Sequence, residues 1–149
     1  MHTTSVAAYS IAAALLYAKM LVTVSTQGVV RLRTKRFQYP EDARHWGGEE
    51  AEDHPVAARA QRVLRNDGEG QPLFLALGAA YVLSNATPAL APVYFGVYVG
   101  SRFLHTWFFL RPRQPHRNRA FGLGVLCLTA LAVHVLVRGI DLARSVTAS

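Results

Sequence analysis

The chain has 149 residues and a mass of 16.4 kDa, the length of one domain. Hydrophobic residues make up 51% and charged residues 17%, which excludes disorder, while 11 glycines, 7 prolines and one cysteine exclude collagen-like and disulfide-built classes. A net charge of +7 and a pI of about 10.2 would suit a nucleic-acid binder if the basic residues covered a soluble surface, so their placement decides.

Residues 6–30 are the first predicted membrane span, apolar apart from Lys19 and a few small polar side chains. The run is too long for a signal-peptide core, and no basic residue precedes it. Lys19 either snorkels or pairs with an acid. Residues 31–55 read as a polar loop containing Pro40, Gly47 and Gly48, with a short helix expected over 41–46. The second span, 56–83, ends in only twelve apolar residues, 72–83, so the helix must start near Val56 with a polar first half. The third span, 93–110, carries Arg102 and His105, and its Gly96 and Gly100 stand at small-xxx-small spacing. The fourth, 118–138, contains Cys127, which reads as a small hydrophobe.

Eight of the 16 Lys and Arg residues lie between Arg31 and Arg65, and five between Arg102 and Arg119. Only Lys19, Arg138 and Arg144 lie elsewhere, and the acids cluster between Glu41 and Glu69 with Asp141 as the exception. The turn over 84–91 has no Lys or Arg. The positive-inside rule then places 31–55 and 111–117 in the cytoplasm and both termini outside. Topology accounts for the basic charge, and nucleic acid is not an expected partner. The expected fold class is all-α, an integral membrane four-helix bundle.

A charge at mid-membrane costs about 2.5–3.5 kcal/mol on insertion scales, so it faces protein or water. Arg62, Arg65, Asn66 and Glu69 stand at i, i+3, i+4 and i+7, on one face of the second helix. Arg102, His105, Thr106 and Phe109 repeat that spacing on the third. Two polar stripes on neighbouring helices predict a polar pocket near the cytoplasmic end. Arginine forks match carboxylates and a glutamate receives an ammonium, so the set suits a small zwitterionic anion such as glutathione. A structural ion network is the competing reading of the stripe, and an interhelical hydrogen bond that of His105. Six scattered histidines and one cysteine give no metal set, and no phosphate loop or Ser-His-Asp arrangement stands out.

The segment Arg59-Ala-Gln-Arg62-Val-Leu-Arg65-Asn66-Asp67-Gly-Glu69 resembles the signature of the MAPEG family, the membrane-associated proteins of eicosanoid and glutathione metabolism. Three further stretches agree in order. Val30-Arg31-Leu-Arg33-Thr-Lys35-Arg36-Phe37 with Pro40-Glu41-Asp42-Ala43 looks like the first loop of the prostaglandin E synthase and microsomal glutathione transferase branch. Gly100-Ser-Arg102-Phe-Leu-His105-Thr106 looks like its third helix, and Gln114-Pro115-His-Arg117 with Ala120-Phe121 like the entry to its fourth. The resemblance implies a four-helix bundle, a homotrimer, and glutathione held between subunits near the cytoplasmic side. It carries glutathione binding to Arg31, Arg62, Arg65, Asn66, Glu69 and His105, and places Arg117 near the thiol; Arg102, on the His105 stripe, joins the expected binding set.

Some positions depart from the pattern. Ala58 stands where the signature opens with glutamate, Phe109 and Phe121 replace tyrosines, Asn118 replaces a serine, and Pro72 comes one residue early. These changes weigh against prostaglandin isomerase chemistry more than against glutathione binding. The expected function is a membrane glutathione transferase or peroxidase with Arg117 activating the thiol. The alternatives are a prostaglandin E synthase-like isomerase and a non-catalytic lipid-binding scaffold. The expected partners are glutathione, a lipophilic acceptor and membrane lipid, and the composition leans to a bacterial inner membrane over endoplasmic reticulum.

Overall fold

The computed structural model describes residues 2–147. Four long helices run up and down: α1 (His2–Thr34), α3 (Pro55–Leu83), α4 (Ala91–Leu110) and α5 (Gln114–Thr147), with a short α2 (Pro40–Trp46) in the first loop. Helix α1 stops where Lys35 turns left-handed at φ 57°. Helix α2 starts on Pro40, carries Glu41 and Asp42 in its first turn, and ends on left-handed Gly47, signals that suit its dipole and its caps. Helix α3 likewise starts on Pro55, with His54 Nδ1 accepting from the Val56 N–H at 3.3 Å.

The first loop is folded back on itself. β1 (Arg36–Phe37) pairs in parallel with β2 (Glu49–Glu50), Arg36 opposite Glu49. At the far end Asn85 is left-handed, and a 3-10 turn, Pro88–Leu90, leads into α4.

Helix α1 packs on α3 and α4, and α4 packs on α5, while α3 touches both α4 and α5. Aromatic rings fill the centre: Phe74, Tyr81, Phe95 and Tyr98 are fully buried, with Phe74 stacked on Tyr98 at 4.0 Å. Phe95 meets Phe74, Tyr81 and Tyr9 edge-on. The outer faces are apolar too, with Ile11 and Val22 exposed on α1 and Leu126 and Leu136 on α5. Helices α1 and α5 are long and apolar enough to cross a membrane. A helix satisfies its own backbone, so such a face can stand in lipid.

Close approach of α4 and α5 depends on Gly124. A Cβ there would lie 2.8 Å from Ser101 Oγ, and that hydroxyl is tied down by donating to Tyr98 O at 2.6 Å. Gly124→Ala should therefore destabilise the bundle by about 1–3 kcal/mol through overpacking. A thermal or detergent unfolding midpoint equal to wild type would show that Ser101 can swing aside.

Candidate functional site

The deepest polar feature is an ion network at one level of three helices. Lys19 Nζ of α1 donates to Asp67 Oδ2 of α3. Arg102 Nη2 of α4 donates to Asp67 Oδ1 at 3.0 Å and to Asn66 Oδ1 at 2.5 Å. The three charged side chains are at most 4% exposed, and the set carries one net positive charge. Arg102 sits eight residues from the end of α4 at Leu110, about 12 Å at 1.5 Å per residue. The sequence left Lys19 between snorkelling and pairing, and the structure pairs it with Asp67. Asp67 itself was not assigned a role from the sequence. The signal was present in the Asn66-Asp67 pair, but the spacing alone does not say which side of α3 meets α1.

Beside this network, between α3, α4 and α5, lies a cavity of about 150 Å³ lined by Asn66, Glu69, Tyr98, Arg102, Phe121 and neighbouring small and apolar groups. His105 is buried next to it, its ring 5.6 Å from that of Phe109 and 5.8 Å from that of Phe121. His105 Nδ1 has no hydrogen-bond partner among the described residues.

A second cavity, of about 240 Å³, opens at the basic end where α3, α4 and the start of α5 converge. Four arginines line it: Arg59 and Arg62 from α3, Arg113 before α5, and Arg117 in its first turn. Arg117 lies over the Phe109 ring at 4.8 Å, a cation–π contact that places its guanidinium. No carboxylate lines this cavity, so it selects anions. Arg59 and Arg113 were not among the expected site residues. The i, i+3 spacing of Arg59 and Arg62 could have found the first; a loop residue such as Arg113 has no comparable signal.

The expected residues thus divide. Arg62 and Arg117 share the basic cavity, and Asn66, Glu69 and Arg102 share the inner one, with His105 alongside. Arg65 is 86% exposed and Glu69, although it also lines the inner cavity, 70%, and the two side chains face each other at 4.0 Å. Arg31 is held apart by a bidentate pair, Nε to Asp53 Oδ1 at 2.8 Å and Nη2 to Oδ2 at 2.6 Å, which clips the loop end to α1. Cys127 is buried, with its thiol donating to Tyr94 O at 3.2 Å. Among the described residues, no group of three or more His, Cys, Asp or Glu is placed to hold a metal ion.

The arrangement offers a cationic cleft for an anionic molecule from the aqueous side and a small, partly apolar cavity farther in. The sequence model of the MAPEG family matches residues 6–137. Bovine prostaglandin E synthase (Bos taurus) is 37% identical over 131 residues, covering 87% of this chain and 86% of that protein. The human prostaglandin E synthase (Homo sapiens) is 35% identical over 138 residues, 91% of each chain. Microsomal glutathione S-transferase 1 of Rattus norvegicus is 35% identical over 136 residues, 87% of each.

Proposed function

The chain belongs to the MAPEG family and is a membrane helical bundle, and from that premise we propose that it is a glutathione-dependent enzyme, a transferase or peroxidase that presents glutathione thiolate to lipophilic electrophiles or hydroperoxides. The observation that carries the reading is the meeting of Arg62 and Arg117, far apart in the chain, in one anion-selecting cavity. Glutathione offers two carboxylates to such arginines and an ammonium to Glu69. The relatives named for glutathione transferase and prostaglandin E synthase chemistry support a glutathione enzyme.

A free thiol titrates near pH 8.5. Lowering that value by ~2 units needs about 2.7 kcal/mol in favour of the thiolate, and a guanidinium at hydrogen-bond range supplies stabilisation of that kind. Arg117 is assigned this role, because Phe109 and Phe121 carry no hydroxyl and Asn118 cannot ionise. The prostaglandin isomerase reading has the same relatives in its favour and those three positions against it. The partition fits a membrane: hydrophilic thiol from the cytoplasmic end, apolar acceptor from lipid. A bacterial inner membrane, with the basic loops in the cytoplasm, is the setting proposed.

Arg65 and Glu69 are exposed on the single chain, and lipid is a poor neighbour for either. We therefore propose a homotrimer that closes this stripe between subunits. Detergent-purified protein should turn over glutathione with a generic aryl halide, develop a thiolate absorbance on adding glutathione, and run at three times the chain mass in native mass spectrometry. Absence of both turnover and thiolate leaves the scaffold reading, and a monomer that binds glutathione at full affinity removes the trimer.

A further inference from the structure

We propose that the polar cleft at the end of the bundle away from the basic loops holds the head of a phosphatidylethanolamine-type lipid, its phosphate on Arg138 and its primary ammonium on Asp141. The cleft has a volume of about 320 Å³ and lies between the 84–90 turn and α5, lined by Asn85, Thr87, His134, Val137, Arg138 and Asp141. Arg138 and Asp141 both stand outside the charge clusters that topology and glutathione account for.

Both charges are open to a ligand. Arg138 Nε donates to Ser84 O at 3.2 Å, which anchors the guanidinium against the turn and leaves its two terminal nitrogens without a partner among the described residues. That free fork suits phosphate oxygens. Asp141 is exposed and, among the described residues, in no ion pair, although Arg138 is one turn before it and Arg144 one turn after. The wall behind them is fixed. His134 stands between the Tyr94 hydroxyl and Thr87 Oγ1, 3.4 Å from each through its two ring nitrogens. The Tyr81 hydroxyl donates to Thr87 O at 2.6 Å and ties the turn back to α3.

The level in the bilayer matches a headgroup. Arg138 stands nineteen residues beyond Arg119 on α5, about 29 Å at 1.5 Å per residue, close to a hydrocarbon thickness of about 30 Å. With Arg119 at one boundary, Arg138 meets the phosphates of the opposite leaflet. Asp141 lies about 4.5 Å farther out along the helix, about the reach of an ethanolamine from phosphate to ammonium. Toward the bilayer centre the wall turns apolar, with Val137 51% and Val133, one turn deeper, 55% exposed, so acyl chains have a strip to lie on. The cleft has room for about ten water-sized groups, against about eight heavy atoms in a phosphoethanolamine.

Charge and hydrogen bonding select among lipids. Phosphatidylglycerol brings the phosphate without an ammonium, so Asp141 repels it. A choline nitrogen carries no N–H and cannot donate to the carboxylate.

Delipidated protein in detergent, mixed with equal amounts of dioleoyl phosphatidylethanolamine, phosphatidylcholine and phosphatidylglycerol, gives the test, with lipid adducts read by native mass spectrometry. Wild type should retain the ethanolamine lipid about tenfold over either competitor, the effect of one charged hydrogen bond. Asp141→Ala, at an exposed helical position that alanine suits, should bring it down to the choline level. Arg138→Gln should weaken all three. Equal retention by wild type, a preference that survives Asp141→Ala, or full retention by Arg138→Gln overturns the proposal. Soluble glycerophosphoethanolamine in equal amount should not displace the lipid; displacement would give the cleft to a free phosphate ester and overturn the lipid assignment.

Discussion

Replacing Asp67 with alanine should remove about 3–5 kcal/mol of stability, because it leaves Lys19 and Arg102 as uncompensated cations in the core. The carboxylate receives both cations, so a single truncation breaks two contacts across three helices. Lys19→Met should behave in the opposite way. It leaves Asp67 and Arg102 as a one-to-one pair and removes the excess charge, so its stability should fall within about 1 kcal/mol of wild type or exceed it. Unfolding midpoints in one detergent, with the two variants side by side, test the asymmetry. Equal and small losses would mean that water reaches the network and screens it.

Arg117→Ala should lower turnover by roughly 10²-fold or more, the range for loss of one preorganised electrostatic donor. Glutathione affinity should change far less, because Arg59, Arg62 and Arg113 remain in the same cavity to hold its carboxylates. The pH at which thiolate appears should rise toward that of free glutathione, since the cation that favours the charged form is gone. Thiolate difference spectra against pH, in wild type and variant, decide the matter. Overlapping titrations would move the role to another group.

The four long helices were legible because apolar runs and basic loops alternate, and the short α2 because Pro40-Glu41-Asp42 precedes Gly47. Helix ends were less so: α1 starts at His2 and α5 continues to Thr147, since a helix keeps its hydrogen bonds beyond the apolar window that reveals it. The two-residue strands β1 and β2 are too short to show a period. In the candidate site, periodicity placed Arg62, Arg65, Asn66 and Glu69 near one face but could not say what faces them. Asp67 shows the gap. It is one residue from Asn66, which turns it toward Lys19, a partner 48 positions away that no local pattern reports. Arg102 was legible as a cation in a span, yet its hold on Asp67 depends on how α3 and α4 lean together.

The mid-depth charges also bear on how the chain enters a bilayer during synthesis. Helices α1 and α5 qualify as spans by themselves, whereas α3 and α4 do not reach the same apolar standard. Each of the latter carries ionised groups that cost about 2.5–3.5 kcal/mol apiece when they leave the translocon alone. Asp67 and Arg102 cancel much of that cost once they touch, and the 84–90 turn is short enough to bring them together early. Helices α3 and α4 should therefore partition as a hairpin, with Lys19 of α1 as a further partner for Asp67. A nascent chain ending after α3 should slip back toward water, while one extended through α4 should stay.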